Sequence, residues 1–246
     1  MIRMRVLIFS ILLAIPWLLA AQQTSNEEQL RQVIAYAQAY REHLPSLECD
    51  ETMFSQSVKN GKIKWQVKIE ATLRELRDEK EPGGFKDYYT FKTVDGKPAK
   101  AHFSTPYFVY NVFANSLGIG DNPLPACFNY SFATLDDGRT TQFNIDAKPD
   151  PRDPSCQNIP DGYHKMMLID VASGAVRHVE RRLSPQFANR HLEIPYVVID
   201  YAPQRLGDET YWLPVRFEAS DPTVEGRMIA TYANFHRYIG VAKILP

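Results

Sequence analysis

Between Lys62 and Leu73 the chain alternates polar and apolar residues without a break: Ile63, Trp65, Val67, Ile69, Ala71 and Leu73 at odd positions, Lys62, Lys64, Gln66, Lys68, Glu70 and Thr72 at even ones. A period of two is that of a strand with one face buried and the other in water. Asn60-Gly61 just before it is a two-residue hairpin signal, which pairs this strand with another over 49–58. Further strands are predicted at 85–94, ending at Asp95-Gly96; at 127–135, turning at Asp137-Gly138 into 140–147; and at 163–171, turning at Ser173-Gly174 into 175–183. The series closes with 192–201, 209–219 and 227–238. Consecutive strands joined by short turns imply one antiparallel meander, not alternating strand and helix units.

Two stretches carry a helical period instead. Ser25-x-x-Glu28 reads as a capping box, after which Leu30, Val33, Ile34, Ala37, Tyr40 and Leu44 recur at helical spacing until Pro45. From Pro106 to Leu117, Phe108, Val109, Val112, Phe113 and Leu117 recur likewise, with proline at the start and Gly118 at the end. The expected class is therefore α+β, mainly β: a curled antiparallel sheet with an N-terminal helix and a short embedded helix. Two helices are few to cover so large a sheet, so its concave face either packs as a solid core or encloses an apolar cavity. Residues 148–162, with four prolines and no period, read as a surface loop within the same domain.

The first 21 residues place Arg3 and Arg5 before an apolar run from Val6 to Leu19 and end in Ala20-Ala21. That is the order of a cleaved signal peptide. An uncleaved membrane anchor is the rival reading, and its run of about 16 residues is short of the roughly 20 that a bilayer requires. The expected division is a signal peptide at 1–21 and a single domain at 22–246, exported to a bacterial periplasm. The first cysteine is Cys49, well past the cut, which argues against a lipid-modified lipoprotein. In an oxidising compartment three cysteines can be two plus one. Cys127 at a strand start and Cys156 in the proline-rich loop flank one hairpin, so these two are expected to bond, leaving Cys49 free.

Composition narrows the function. With 28 basic residues against 29 acidic and a net charge of -1, there is no basic field to attract nucleic acid. The 44 % of apolar residues suffice for a core without metal or disulfide support. His43, His102, His164, His178, His191 and His236 are dispersed, and none has metal-ligand spacing. Asp150, Asp153 and Asp161 lack the spacing of a calcium loop and read as turn residues. On a strand Arg177 and Arg181 share one face and His178 and Arg182 the other, so this cluster reads as solvated charge on an edge strand, with contact to an anionic lipid headgroup as the sharper alternative. No nucleophile elbow is present. No cofactor, metal or catalytic residue is expected.

One stretch, Met166-Met167-Leu168-Ile169-Asp170-Val171-Ala172-Ser173-Gly174-Ala175-Val176-Arg177-His178-Val179-Glu180, resembles the strand, Asp-x-x-Ser/Thr-Gly turn and strand of the periplasmic outer-membrane lipoprotein carrier (LolA-like) superfamily. Tyr211-Trp212-Leu213-Pro214-Val215-Arg216-Phe217 and Tyr232-Ala233-Asn234-Phe235 are similar to its last two strands. The resemblance implies a half-open β-barrel closed by helices, and a non-catalytic protein that holds an acyl chain, lipid or acylated protein. In that case Ile63, Trp65, Val67, Ile69 and Leu73 line the cavity, with Phe108, Val112 and Phe113 on the embedded helix as a plug that moves on binding. Such a protein is expected to be a monomer making transient contacts with envelope proteins. The alternative is a sensory or interaction module of the same fold that binds a protein partner and transfers no lipid.

Overall fold

A computed structural model of the chain describes residues 28–60, 62–81, 84–100, 112–115, 117, 126–149, 153–156, 159, 162–184, 195–221 and 226–239. The expected signal peptide lies outside the described residues. So do Phe108 and most of the 106–117 segment.

Helix α1 runs over 28–43. The strands are β1 (Leu47–Lys59), β2 (Lys62–Arg77), β3 (Phe85–Val94), β4 (Lys97–Pro98), β5 (Phe128–Thr134), β6 (Thr140–Ala147), β7 (His164–Asp170), β8 (Val176–Arg182), β9 (Tyr196–Leu206), β10 (Glu209–Asp221) and β11 (Gly226–Arg237). A four-residue helix, α2 (Val112–Asn115), stands between β4 and β5. Among the described residues the strands form one antiparallel sheet in the order β4-β3-β2-β1-β11-β10-β9-β8-β7-β6-β5. The expected single meander is thus two meanders, β1 to β4 and β5 to β11, sewn together where β1 pairs with β11. That seam joins strands about 180 residues apart in the chain, so no local turn signal announces it.

The sheet's two edges, β4 and β5, do not pair with each other, so the sheet is not closed. It is nonetheless curled. Phe85 on β3 and Phe143 on β6, near opposite edges, belong to one continuous cluster of buried side chains that also takes in Val33 and Ala37 of α1 and Val112 and Phe113 of α2. Alternation drives this: in β1 the buried residues are Leu47, Cys49, Glu51, Met53 and Ser55, and in β2 they are Val67, Ile69, Ala71, Leu73 and Glu75. Each fully buried Val, Leu or Ile stabilises the fold by roughly 1.5–3 kcal/mol.

Helix α1 closes one end of the curl. Its first turns lie beside Thr141 at the start of β6 and Ile169 at the end of β7, and its last turn meets the end of β2. There Arg77 donates to the carbonyls of Arg41, Glu42 and Leu44 at 3.1, 2.8 and 2.7 Å. These are carbonyls a helix terminus leaves without intrahelical partners, and a cation also complements the terminal dipole. At the opposite end, Cys127 and Cys156 form a disulfide that ties the start of β5 to the loop between β6 and β7. Cys49 is free and buried.

The basic cluster of β8 differs from its expectation in two respects. β8 lies between β7 and β9 and is not an edge strand. A bulge between Leu168 and Ile169 leaves Arg177 out of register, so Arg177 and Arg181 do not share a face. Arg177 instead pairs with Asp170 and lies over the Trp212 ring, while Arg181 stands opposite Lys165.

Candidate functional site

The concave face is the surface the fold builds with most apolar material. On β2 the buried series begins only at Val67 and continues through Ile69 and Leu73. Trp65 is half-buried against the cluster, and Ile63 is 58 % exposed. The expected lining therefore loses its first member. Ser57 pairs with Trp65 but Val58 pairs with Ile63, so a bulge at Lys64 interrupts the alternation where the strand leaves the curl.

Over β10 and β11 sits α2. Phe113 is fully buried, its ring 5.0 Å from that of Tyr232 and 5.9 Å from that of Phe235, both edge to face. Tyr232 and Phe235 are three residues apart and would face opposite ways in a regular strand. They both face inward because Asn234, at φ 55°, sits in a bulge between β11 and β1. The slot that receives Phe113 is thus made by a backbone irregularity. Val112 is buried beside it.

Two groups of polar residues share this face. On the β1–β3 side, Glu51 stands opposite Tyr232, Cys49 opposite Leu73, which faces Tyr89, and Glu75 opposite Asp87. Glu51 is 2 % exposed and its Oε2 has no hydrogen-bond partner among the described residues. Burial pushes its carboxyl up to about 7, opposed by the nearby Tyr232 hydroxyl and helped by the charge of Asp87. Burial, then the Glu51 and Glu75 carboxylates, push the Cys49 thiol far above its ordinary value, so it is an inert thiol. On the β7–β8 side, Lys165 is buried beside Met167, and its Nζ donates to the carbonyl of Leu117, just past α2. Burial, with the charge of Arg181 opposite, lowers its ammonium to about 7.

Glu51, Glu75 and Lys165 were not among the expected site residues. Their signal was parity: Glu75 continues the odd series of β2, and Lys165 alternates with Met167 and Ile169. A charged residue on the apolar phase of a strand is a buried charge.

The remaining candidates do not converge. His164 meets Asp146 and His178 meets Asp200, each at 2.7 Å, on the opposite phase of β7 and β8 from Lys165 and Val179. His102 and His191 lie outside the described residues. Among the described residues no group of three His, Cys, Asp or Glu side chains could hold a metal ion. Asp153 serves the turn, accepting from the Ser155 amide and hydroxyl. Asp170 does the same for Ser173, which accounts for the Asp-x-x-Ser-Gly sequence as turn chemistry. A hollow of about 180 Å³ opens between α1 and β5–β7, lined by Val33, Tyr36, Phe132 and Ile169 among others. No described helix is long and apolar enough to cross a membrane.

No family model and no curated protein matches this sequence. Similar folds occur among solved structures. A DUF1329 family protein from Desulfovibrio piger is 9 % identical with a TM-score of 0.43, the match covering 88 % of this chain and 95 % of that one. A LolA superfamily protein from Nitrosomonas europaea is 9 % identical with a TM-score of 0.43, covering 87 % and 96 %. A putative outer membrane lipoprotein-sorting protein domain from Vibrio parahaemolyticus is 12 % identical with a TM-score of 0.43, covering 86 % and 93 %.

Proposed function

We propose that this chain is an exported, non-catalytic envelope protein that takes the acyl chain of a lipid or acylated protein into the concave face of its unclosed sheet. The observation that carries this reading is the way the face is covered over β10 and β11. A four-residue helix inserts one fully buried ring, Phe113, between Tyr232 and Phe235. Withdrawing so short an element costs little backbone hydrogen bonding and uncovers apolar surface continuous with Val67, Ile69 and Leu73 on β2. Each methylene an acyl chain buries there contributes about 0.8 kcal/mol, so no specific polar contact is needed for useful affinity.

Protein purified without detergent, analysed by native mass spectrometry and by solvent extraction, tests this. The expected result is a co-purifying lipid, or stoichiometric uptake of an added long-chain amphiphile. Protein that carries no lipid and takes up none at saturating amphiphile overturns the reading.

A further inference from the structure

The β1–β2 hairpin concentrates positive charge in a chain whose net charge is only -1. From Thr52 to Ile69 the sequence has lysines at 59, 62, 64 and 68 and no acidic residue. The flanking carboxylates are engaged elsewhere: Glu70 by Lys68, Asp50 by Lys92, and Glu51 buried on the concave face. Lys59, Lys62 and Lys64 are exposed, and no described carboxylate forms an ion pair with any of them. Lys59 stands directly opposite Lys62 across the ladder. Like charges so placed repel and destabilise a hairpin, and nothing described within the molecule offsets the cost.

The tip also stands clear of its neighbours. β11 pairs with β1 no further than Ser57, and β3 pairs with β2 no nearer than Ile69. The stretch from Ile63 to Lys68 therefore runs roughly 20 Å beyond β3, at about 3.3 Å per residue. The bulge at Lys64 turns Ile63 outward, 58 % exposed between two lysines, while half-buried Trp65 roots the hairpin against the apolar cluster. Ammonium groups around an exposed aliphatic side chain, with an indole at their base, suit the interface of an anionic bilayer. The tip is too narrow for the roughly 800 Å² per partner that a standard protein interface buries.

We infer that Lys59, Lys62, Ile63 and Lys64 at the β1–β2 hairpin tip dock the protein on a membrane surface of anionic phospholipid, independently of what the concave face holds. Lipid phosphates there offset the repulsion between Lys59 and Lys62, and Ile63 leaves water.

Co-sedimentation of the detergent-free protein with phosphatidylcholine vesicles, with and without phosphatidylglycerol, tests this. Binding is expected only where phosphatidylglycerol is present, and to fall with added salt. Each lysine near an anionic leaflet is worth roughly fivefold in affinity, so Lys59→Gln, Lys62→Gln and Lys64→Gln together are expected to lose about a hundredfold. The same three positions changed to arginine are expected to keep it. Ile63→Ser, with the charge intact, is expected to weaken binding about tenfold. Lys80→Gln, an exposed lysine beyond the far end of β2, is expected to leave binding unchanged. Because the glutamines remove a repulsion, the triple variant is expected to unfold at no lower urea concentration than the unaltered protein. Equal binding to both kinds of vesicle, or binding that survives the triple glutamine substitution, overturns the proposal. Polyglutamate that displaces the protein from vesicles while Ile63→Ser costs no affinity overturns the membrane in favour of an acidic protein.

Discussion

Replacing Phe113 by alanine separates a plug from an ordinary core residue. The side chain is fully buried and makes edge-to-face contacts with Tyr232 and Phe235. Truncating a buried phenylalanine costs about 3–5 kcal/mol, of which each aromatic pair accounts for roughly 0.5–1.5 kcal/mol. If α2 docks as a local unit, that loss falls on the equilibrium between docked and undocked α2 and not on unfolding of the sheet. At about 1.4 kcal/mol per factor of ten, 3 kcal/mol moves that equilibrium roughly a hundredfold towards the undocked form. Apparent affinity scales with the fraction of competent protein, so the gain approaches this factor to the extent that α2 is docked at the start. We expect Phe113→Ala to tighten binding of a fluorescent fatty acid or N-phenylnaphthylamine at least tenfold. Urea unfolding should then lose only what that shift costs, about 1.4 kcal/mol for each tenfold gain in affinity. A variant that loses the full 3–5 kcal/mol of global stability with unchanged probe affinity refutes the argument, because Phe113 would then be core and the concave face would have no movable cover.

Stability should pass through a minimum near neutral pH. Glu51 has its folded value raised from 4.5 to about 7, so between those pH values the native state holds a proton the unfolded chain has released, and stability falls as pH rises. Lys165 has its folded value lowered from 10.5 to about 7, so from 7 upward the unfolded chain holds the extra proton and stability recovers. Each limb is at most about 1.4 kcal/mol per pH unit; urea midpoints from pH 5 to 10 should show both, with Glu51→Gln flattening the acid limb and Lys165→Met the alkaline one. Replacing both Cys127 and Cys156 by serine releases a crosslink spanning 29 residues. The expected loss is about 3–4 kcal/mol in urea unfolding, and a loss below about 1 kcal/mol would mean the loop it closes is already ordered by other contacts. In the unaltered protein iodoacetamide should modify Cys49 only on unfolding. Arg77→Met removes the three bonds to the last turn of α1 and should raise hydrogen exchange across 36–43 with little change in β2; unchanged exchange there would show that apolar packing alone holds the helix.

The strand set was legible in the sequence because a half-buried strand writes its burial into a period of two. The alternation from Lys62 to Leu73 lies within β2, the Asp95-Gly96 turn joins β3 to β4 with both residues at positive φ, and the helical spacing from Leu30 to Tyr40 matches α1, while Ser25 of the expected capping box lies outside the described residues. The Cys127–Cys156 bond was also readable, since one hairpin separates two cysteines at the same end of the sheet. Bulges were not readable. Those at Lys64, Arg177 and Asn234 turn Ile63 outward, separate Arg177 from Arg181, and bring Tyr232 and Phe235 to one face. Each depends on how two strands meet, and a single strand's pattern does not contain its partner.

By itself the sequence determined which side chains face inward along most strands, and so the apolar character of the concave face. Tertiary structure decided how that face is used. Pairing of β1 with β11 joins the two meanders into one curled sheet, and the bulge at Asn234 opens the slot that Phe113 fills. The β7–β8 register sets Lys165 beside Arg181. The physical reason is range: periodicity is a property of neighbours in the chain, whereas closure, slots and charge pairs arise between residues that only folding brings together.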